Sequence, residues 1–439
     1  MTEAWARRAI LKAAAAGAAL AVAGPVRAAR RYAALEAVLD GYVRARRLPG
    51  AIVAVVRPGR FRPDYVSVGT TDFDHAQPMR PDTLVRIFSM TKPVTGMAVM
   101  QAVGEGRIGI DTPIAQVLPA FSAPRVLRAG APTLDAATPA TRPIRVRHLL
   151  THSAGFSYHI LGDGVLEREY RRQGLLPVGG AGRLAARPGD PPPVALPEFL
   201  ERLARLPLLF EPGTAWRYSV GLDVAGGLLE RLDGATLDRV FERRLLGPLG
   251  MRDTGFHIAQ GREARLAALW SYQDPKTEGW RDEPLRVDGP EASDWAAPPT
   301  LLAGGAGLVS TAADYARFVQ MLLNEGEFEG RRLLAPGLAR LAMGNLLEPG
   351  VFPPPARDVP PQGHGAGGAV TLFETRGLMR SGTPAGVFGW GGAAGTLFSV
   401  DPVRRVGVVT MVQYVPASRF PLGIDMAIAL NREEQAGRL

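Results

Sequence analysis

The stretch from Ile87 to Thr95, Ile-Phe-Ser-Met-Thr-Lys-Pro-Val-Thr, sets a serine hydroxyl three residues before a lysine amine. Side chains three apart share one face of a helix, so Ser89 and Lys92 meet wherever this stretch is helical. Pro93 places them at a helix start, because its missing N–H is tolerated only where the first turn lacks intrahelical partners. A hydroxyl there lies beside free N–H groups and the positive end of the helix dipole, which favour a developing negative charge. Of the 51 basic residues only Lys12, Lys92 and Lys276 are lysines. Arginine keeps its proton in proteins, whereas a desolvated lysine can give it up and serve as a base. The chemistry on offer is nucleophilic acyl transfer. The plainer alternative is a solvated lysine beside a helix-capping serine.

A serine nucleophile also needs its oxyanion held and its leaving group protonated. No Gly-x-Ser-x-Gly elbow occurs, which argues against a standard α/β-hydrolase. The histidines His75, His148, His152, His159, His257 and His364 are scattered; His148 and His152 lie four apart with no third ligand in register. Packing or capping at a helix end suits that pair better than a metal. Tyr218, in Ala215-Trp-Arg-Tyr-Ser-Val220, stands at a helix entry and by itself reads as a structural tyrosine. Phe388-Gly-Trp-Gly-Gly-Ala393 ends a strand with glycines that allow close backbone approach, or simply form a bulge.

The elements that must position these groups fall into three blocks. Helical periodicity covers Tyr32–Arg46, and β-rich runs cover Ala51–Val56 and Tyr65–Val68. The Ser89 helix runs to about Val103 and stops at Gly104. Helices are expected at Ile144–Leu150, Leu196–Leu206, Val220–Leu232 and Leu237–Leu246, with Pro/Gly-rich loops at Ala123–Arg142 and Gly174–Pro197. A helix over Ala312–Asn324 and a loop over Glu348–Gly368 follow. Strands at Gly386–Trp390, Gly395–Val400 and Val406–Tyr414 and a helix at Phe420–Leu430 close the chain. Strands at both ends around a helical middle imply an α/β (α+β) fold. One sheet domain spans 29–110 and 289–439, and an all-helical insert spans 111–288.

Length and composition (439 residues, 46% hydrophobic, 21% charged) are those of a globular protein with a sizeable core. Arg7-Arg8-Ala-Ile-Leu-Lys12, the apolar run Ala13–Ala23 and small residues near Val26-Arg-Ala28 read as a twin-arginine signal peptide over 1–28. That reading implies the export machinery as a partner, a periplasmic or secreted product, and no stable membrane anchor after cleavage. The formal charge of +9 falls to about +6 without Arg7, Arg8, Lys12 and Arg27 and the opposing Glu3. The arginines are dispersed, which disfavours nucleic-acid binding. With no cysteine, thiolate nucleophiles and disulfides are excluded.

Taken in order, these motifs resemble the serine β-lactamase and penicillin-binding-protein superfamily, and within it the family VIII carboxylesterases. The resemblance rests on Ser-Met-Thr-Lys at Ser89–Lys92, His-Leu-Leu-Thr-His-Ser-Ala-Gly at His148–Gly155, and Glu-Pro-Gly-Thr-Ala-Trp-Arg-Tyr-Ser at Glu211–Ser219. It extends over Leu246–Met251, Gly304–Thr311 and Trp390–Gly392. It implies a β-lactamase/transpeptidase-like fold, a mainly antiparallel sheet flanked by terminal helices. It also implies Ser89 as nucleophile, Lys92 as its proton acceptor, Tyr218 completing the base system, and the N–H groups of Ser89 and Ala393 as oxyanion hole. Trp390, Gly391, Gly392 and Val220 would border the substrate. No cofactor or metal is implied.

Two departures redirect the expected substrate. Where β-lactamases and D-Ala-D-Ala peptidases carry an asparagine two residues after the second-motif tyrosine, this chain has Val220. Where their third motif reads Lys-Thr-Gly, this chain has Trp390-Gly391-Gly392. A β-lactam or peptide would lose partners for its amide and carboxylate, which disfavours such substrates. A small-molecule carboxylic ester is the expected substrate. A β-lactamase, a D-Ala-D-Ala peptidase and an acyltransferase are the alternatives of like chemistry, and a non-catalytic ligand-binding module is the alternative of another class.

Overall fold

The computed structural model describes residues 31–74, 77–180, 186–273, 283–355, 362–374 and 382–439. The targeting segment expected over 1–28, His75 and Lys276 lie outside them. The elements that carry the site are, in chain order, α1 (Ala33–Arg44), β1 (Gly50–Val56), β2 (Asp64–Gly69), α2 (Thr91–Gly104), α3 (Gly221–Asp233), α4 (Ala312–Leu323), β3 (Gln362–His364), β4 (Ala369–Thr371), β5 (Phe388–Gly391), β6 (Leu397–Asp401), β7 (Val406–Met411) and α5 (Leu422–Gln435).

Both chain ends build one seven-stranded sheet in the order β3-β4-β5-β6-β7-β1-β2. Each neighbouring pair is antiparallel. The β1–β7 pairing, Ile52 opposite Met411, joins the two halves of the chain. Strand β1 is buried along its whole length. Its alternate faces enter separate cores: Ile52, Ala54 and Val56 pack with α2 and α4, and Ala51, Val53 and Val55 pack with α1 and α5. A strand covered on both faces has no polar side, which is why Gly-Ala-Ile-Val-Ala-Val-Val lacks polar alternation.

The stretch 111–288 is not all-helical as expected. Arg125–Leu127 pairs with Ala137–Pro139 inside a segment read as loop. Leu269–Ser271 pairs with Leu285–Asp288 and also with Tyr414–Val415, giving a three-stranded sheet shared with the C-terminal half. Strands of two to four residues carry too little alternation to stand out from loop sequence. The end of this stretch is also fastened to the segment leading into Ser89. The buried Arg86 donates through Nε to Asp288 Oδ2 at 2.6 Å, and through Nη1 to Ala267 O at 2.7 Å and Gln413 Oε1 at 3.0 Å.

Other boundaries moved for local reasons. β3 lies in the expected loop Glu348–Gly368, because Gln-Gly-His offers no apolar pattern. The expected strand Val406–Tyr414 ends at Met411, and Tyr414–Val415 crosses to the second sheet. The C-terminal helix starts after Pro421 rather than at Phe420 and runs on to Gln435. Helices at Val165–Arg172 and Pro336–Met343 had no counterpart in the sequence reading.

Candidate active site

Helix α2 is enclosed on every side, with Thr91 through Ala102 all buried. This accounts for its sequence of small and apolar residues with no polar stripe. Ser89 precedes the α-helix, in a single 3-10 turn, Phe88–Met90, that follows the short strand Val85–Arg86. That strand pairs with Val309–Ser310. Phe88 takes φ +41, a left-handed conformation that bulky side chains rarely adopt. Its ring is held edge-on to Trp295 at 5.4 Å, and Ile87 N–H donates to Leu308 O at 3.1 Å. Such a conformation costs about 1–3 kcal/mol and persists where packing over-determines it. Here it leaves Ser89 partly exposed between buried Phe88 and Met90.

Lys92 is fully buried, so the solvated-lysine alternative is excluded. Its Nζ donates to Gly305 O at 2.7 Å and to Ser89 Oγ at 3.3 Å. It also lies 4.6 Å and 5.5 Å from the ring centres of Tyr218 and Tyr158. Ser89 Oγ is 2.6 Å from Tyr218 Oη. The three residues named from the sequence therefore form one hydrogen-bonded cluster.

Tyr218 is supplied by the segment entering α3, and His152 fixes that segment. His152 Nδ1 accepts the Ser219 N–H at 3.2 Å, and its ring lies 4.7 Å from that of Tyr218. Burial, then the neighbouring His364 and Lys92, hold the His152 imidazole well below its usual range, so it is the neutral acceptor this bond needs. His148 Nδ1 accepts the Arg145 N–H at 3.1 Å and caps its own short helix. Burial lowers His148 to about 4 against the opposing pull of Glu348. The His148/His152 spacing thus serves a helix cap and the placement of Tyr218.

Strand β5 brings the third motif. The Trp390 ring lies 6.0 Å from Tyr218 and 5.2 Å from His364. A Cβ on Gly392 would fall 2.4 Å from Ile87 O, so the end of β5 rests directly on the segment leading into Ser89. Gly392 N–H donates to Thr396 O at 2.7 Å, closing a tight turn on which Gly391 and Ala393 are exposed. Among the described residues no group accepts the Ala393 N–H. Val220 differs from expectation. It is fully buried in the main core, with its N–H bonded to Ser157 O at 3.2 Å, and offers no accessible surface to a ligand. The residue that ends the Tyr218 segment is needed for packing under α3.

Sequence reasoning missed Tyr158, His152, His364, Asp223 and Gly305 as neighbours of the cluster. Asp223 lies in the first turn of α3, where an acid ordinarily complements the helix dipole from solvent. Here it is fully buried. The arrangement as a whole sets a hydroxyl between an amine and a phenol, with the end of β5 resting on the segment that leads into it. It can support attack on a carbonyl carbon and protonation of the departing group.

The Beta-lactamase family model matches residues 35–431. Protein Rv1367c of Mycobacterium tuberculosis is 35% identical over 396 residues, covering 85% of this chain and 86% of that protein. Esterase EstB of Burkholderia gladioli is 32% identical over 396 residues, covering 88% of this chain and 91% of that protein. The solved structure of EstCE1, described as a hydrolase with promiscuous acyltransferase activity, superposes with TM-score 0.68 at 27% identity, covering 92% of this chain and 100% of that one. With the Ser89–Lys92–Tyr218 cluster at the junction of sheet and helices, and a match spanning nearly all of the described residues, this chain belongs to the beta-lactamase family.

Proposed function

We propose that the protein is a serine hydrolase that cleaves carboxylic esters through an acyl-enzyme on Ser89. The observation that carries this reading is the position of Ser89 Oγ, within hydrogen-bond reach of both Tyr218 Oη and the wholly buried Lys92 Nζ. Lys92 takes the Ser89 proton as Oγ attacks the ester carbonyl. The N–H groups of Ser89 and Ala393 hold the oxyanion. Tyr218 protonates the departing alkoxide and is re-protonated through Lys92. Water then repeats the sequence on the acyl-enzyme and releases the acid. The aromatic surface of Trp390, where a cationic lysine side chain is lacking, suits a neutral ester better than an anionic amide. Likeness to a protein named an esterase supports the same choice.

With p-nitrophenyl butyrate and nitrocefin offered separately, ester turnover is expected to exceed β-lactam turnover by about a hundredfold or more. Faster nitrocefin hydrolysis, or no ester turnover at all, would overturn the assignment. Acyl transfer is the second reading, favoured by the description of EstCE1. It predicts that added short alcohols divert the acyl group from acid to new ester without slowing release of p-nitrophenol.

We also infer that residues 1–28 direct twin-arginine export, from Arg7-Arg8 ahead of the apolar run Ala13–Ala23. Replacing both arginines by lysine is expected to retain the precursor inside the cell. Undiminished export of that variant would refute the signal.

A further inference from the structure

Asp223 takes no part in the steps above, yet it is buried beside them. Its Oδ1 accepts the Gly305 N–H at 2.8 Å. Its Oδ2 is buried and has no hydrogen-bond partner among the described residues. The carbonyl of the same Gly305 accepts an N–H of Lys92 Nζ at 2.7 Å. One glycine thus links the carboxyl group on α3 to the amine on α2. The close approach requires glycine: a Cβ at 305 would fall 2.7 Å from Asp223 Oδ2. The preceding carbonyl, Gly304 O, accepts Thr95 Oγ1 at 2.5 Å and pins the loop to α2.

A carboxyl group with one unpartnered buried oxygen is costly and needs a reason to be there. Burial raises Asp223 to about 7, against the opposing attraction of Lys92. The other titratable groups around the two are Tyr158, Tyr218, His152 and His364. Burial keeps both imidazoles neutral and pushes the Tyr158 phenol well above its usual range. Among these groups Asp223 is the acid whose charge opposes the Lys92 ammonium.

We propose that Asp223 is a positioning residue which, through Gly305, aims Lys92 Nζ at Ser89 Oγ and, by its charge, stabilises the ammonium formed when Lys92 takes the serine proton. The proposal rests on the reading of Lys92 as the base. In this step the Ser89 O–H bond breaks and a Lys92 N–H bond forms as Oγ bonds to the ester carbonyl carbon, whose π pair moves onto the oxyanion; the proton moves from oxygen to nitrogen, and Asp223 neither gives nor takes one.

Asp223→Asn tests it, because the amide oxygen still accepts the Gly305 N–H while the charge is gone. The plateau kcat on p-nitrophenyl butyrate is expected to fall about tenfold or more with KM changed less than about threefold. The acid limb of the kcat profile is expected to move to lower pH by about half a unit or more, since a carboxylate favours the ammonium form of a neighbouring amine. A merely structural role would alter the melting temperature and leave that limb in place. An unchanged plateau and an unchanged acid limb would overturn the proposal. Should Asp223→Asn not fold, Gly305→Ala decides: its Cβ displaces the carboxyl group, so kcat falls likewise, and wild-type kcat in that variant is the overturning result. If wild type hydrolyses the ester and Lys92→Arg does not, the base assignment stands, and a wild-type profile in Asp223→Asn removes Asp223 alone. If Lys92→Arg is fully active, it is the base assignment that fails.

Discussion

Ser89→Ala is expected to lower p-nitrophenyl butyrate turnover by on the order of 10⁴-fold or more, because it removes the atom that attacks the carbonyl. Intact-protein mass spectrometry after brief exposure to substrate should show an acyl adduct on wild type and none on the variant. The fold should persist. Ser89 is partly exposed, and its loss leaves Lys92 bonded to Gly305 O. A stability change of about 1 kcal/mol is the scale for one such side-chain hydrogen bond. Turnover equal to wild type would remove Ser89 as nucleophile, and an adduct that persists would place the acyl group elsewhere.

Lys92→Arg is expected to lower kcat by about 10³-fold, although it keeps a basic side chain. Two effects act together. Guanidinium holds its proton, so nothing is left to accept that of Ser89. It is also larger than the ammonium, in a fully buried position bounded by Gly305 O and the rings of Tyr218 and Tyr158, where overpacking costs about 1–3 kcal/mol. Thermal melting separates the two, since a folded but inactive variant isolates the proton-transfer defect. The matched control is Lys276→Arg, expected to keep wild-type kcat and KM. Wild-type rates in both variants would remove Lys92 as the proton acceptor.

What could be read from the chain was whatever depends on neighbours in sequence. Ser89 and Lys92 are three residues apart, and Pro93 marks a helix start, so their meeting follows from helix geometry alone. The β-rich run Ala51–Val56 marked strand β1 for the same local reason, while its burial on both faces emerged only from the fold. Scarcity of lysine added a compositional signal that singled out Lys92, and its burial excludes a solvated surface lysine. Tyr218 needed more: nothing local distinguishes it from a packing tyrosine, and its place beside Ser89 was legible only through the resemblance of the whole motif set.

Tertiary structure decided the remainder. The left-handed Phe88 is imposed by packing on Trp295, more than two hundred residues away in the chain, and moves Ser89 off the α-helix into the turn before it. Val220, expected at the substrate, is drawn into the core, because the first turn of α3 must pack on the segment around Ser157. Asp223 reads as a helix-dipole acid until the fold turns it inward onto Gly305. By itself the sequence determined the meeting of Ser89 and Lys92 and the two-ended sheet, since these follow from residue type and short spacing. The orientation of that amine, its charge environment and which side chains reach the substrate depend on contacts between α2, α3, β5 and the 304–305 loop. Such contacts join residues far apart in the chain, and no local pattern encodes them.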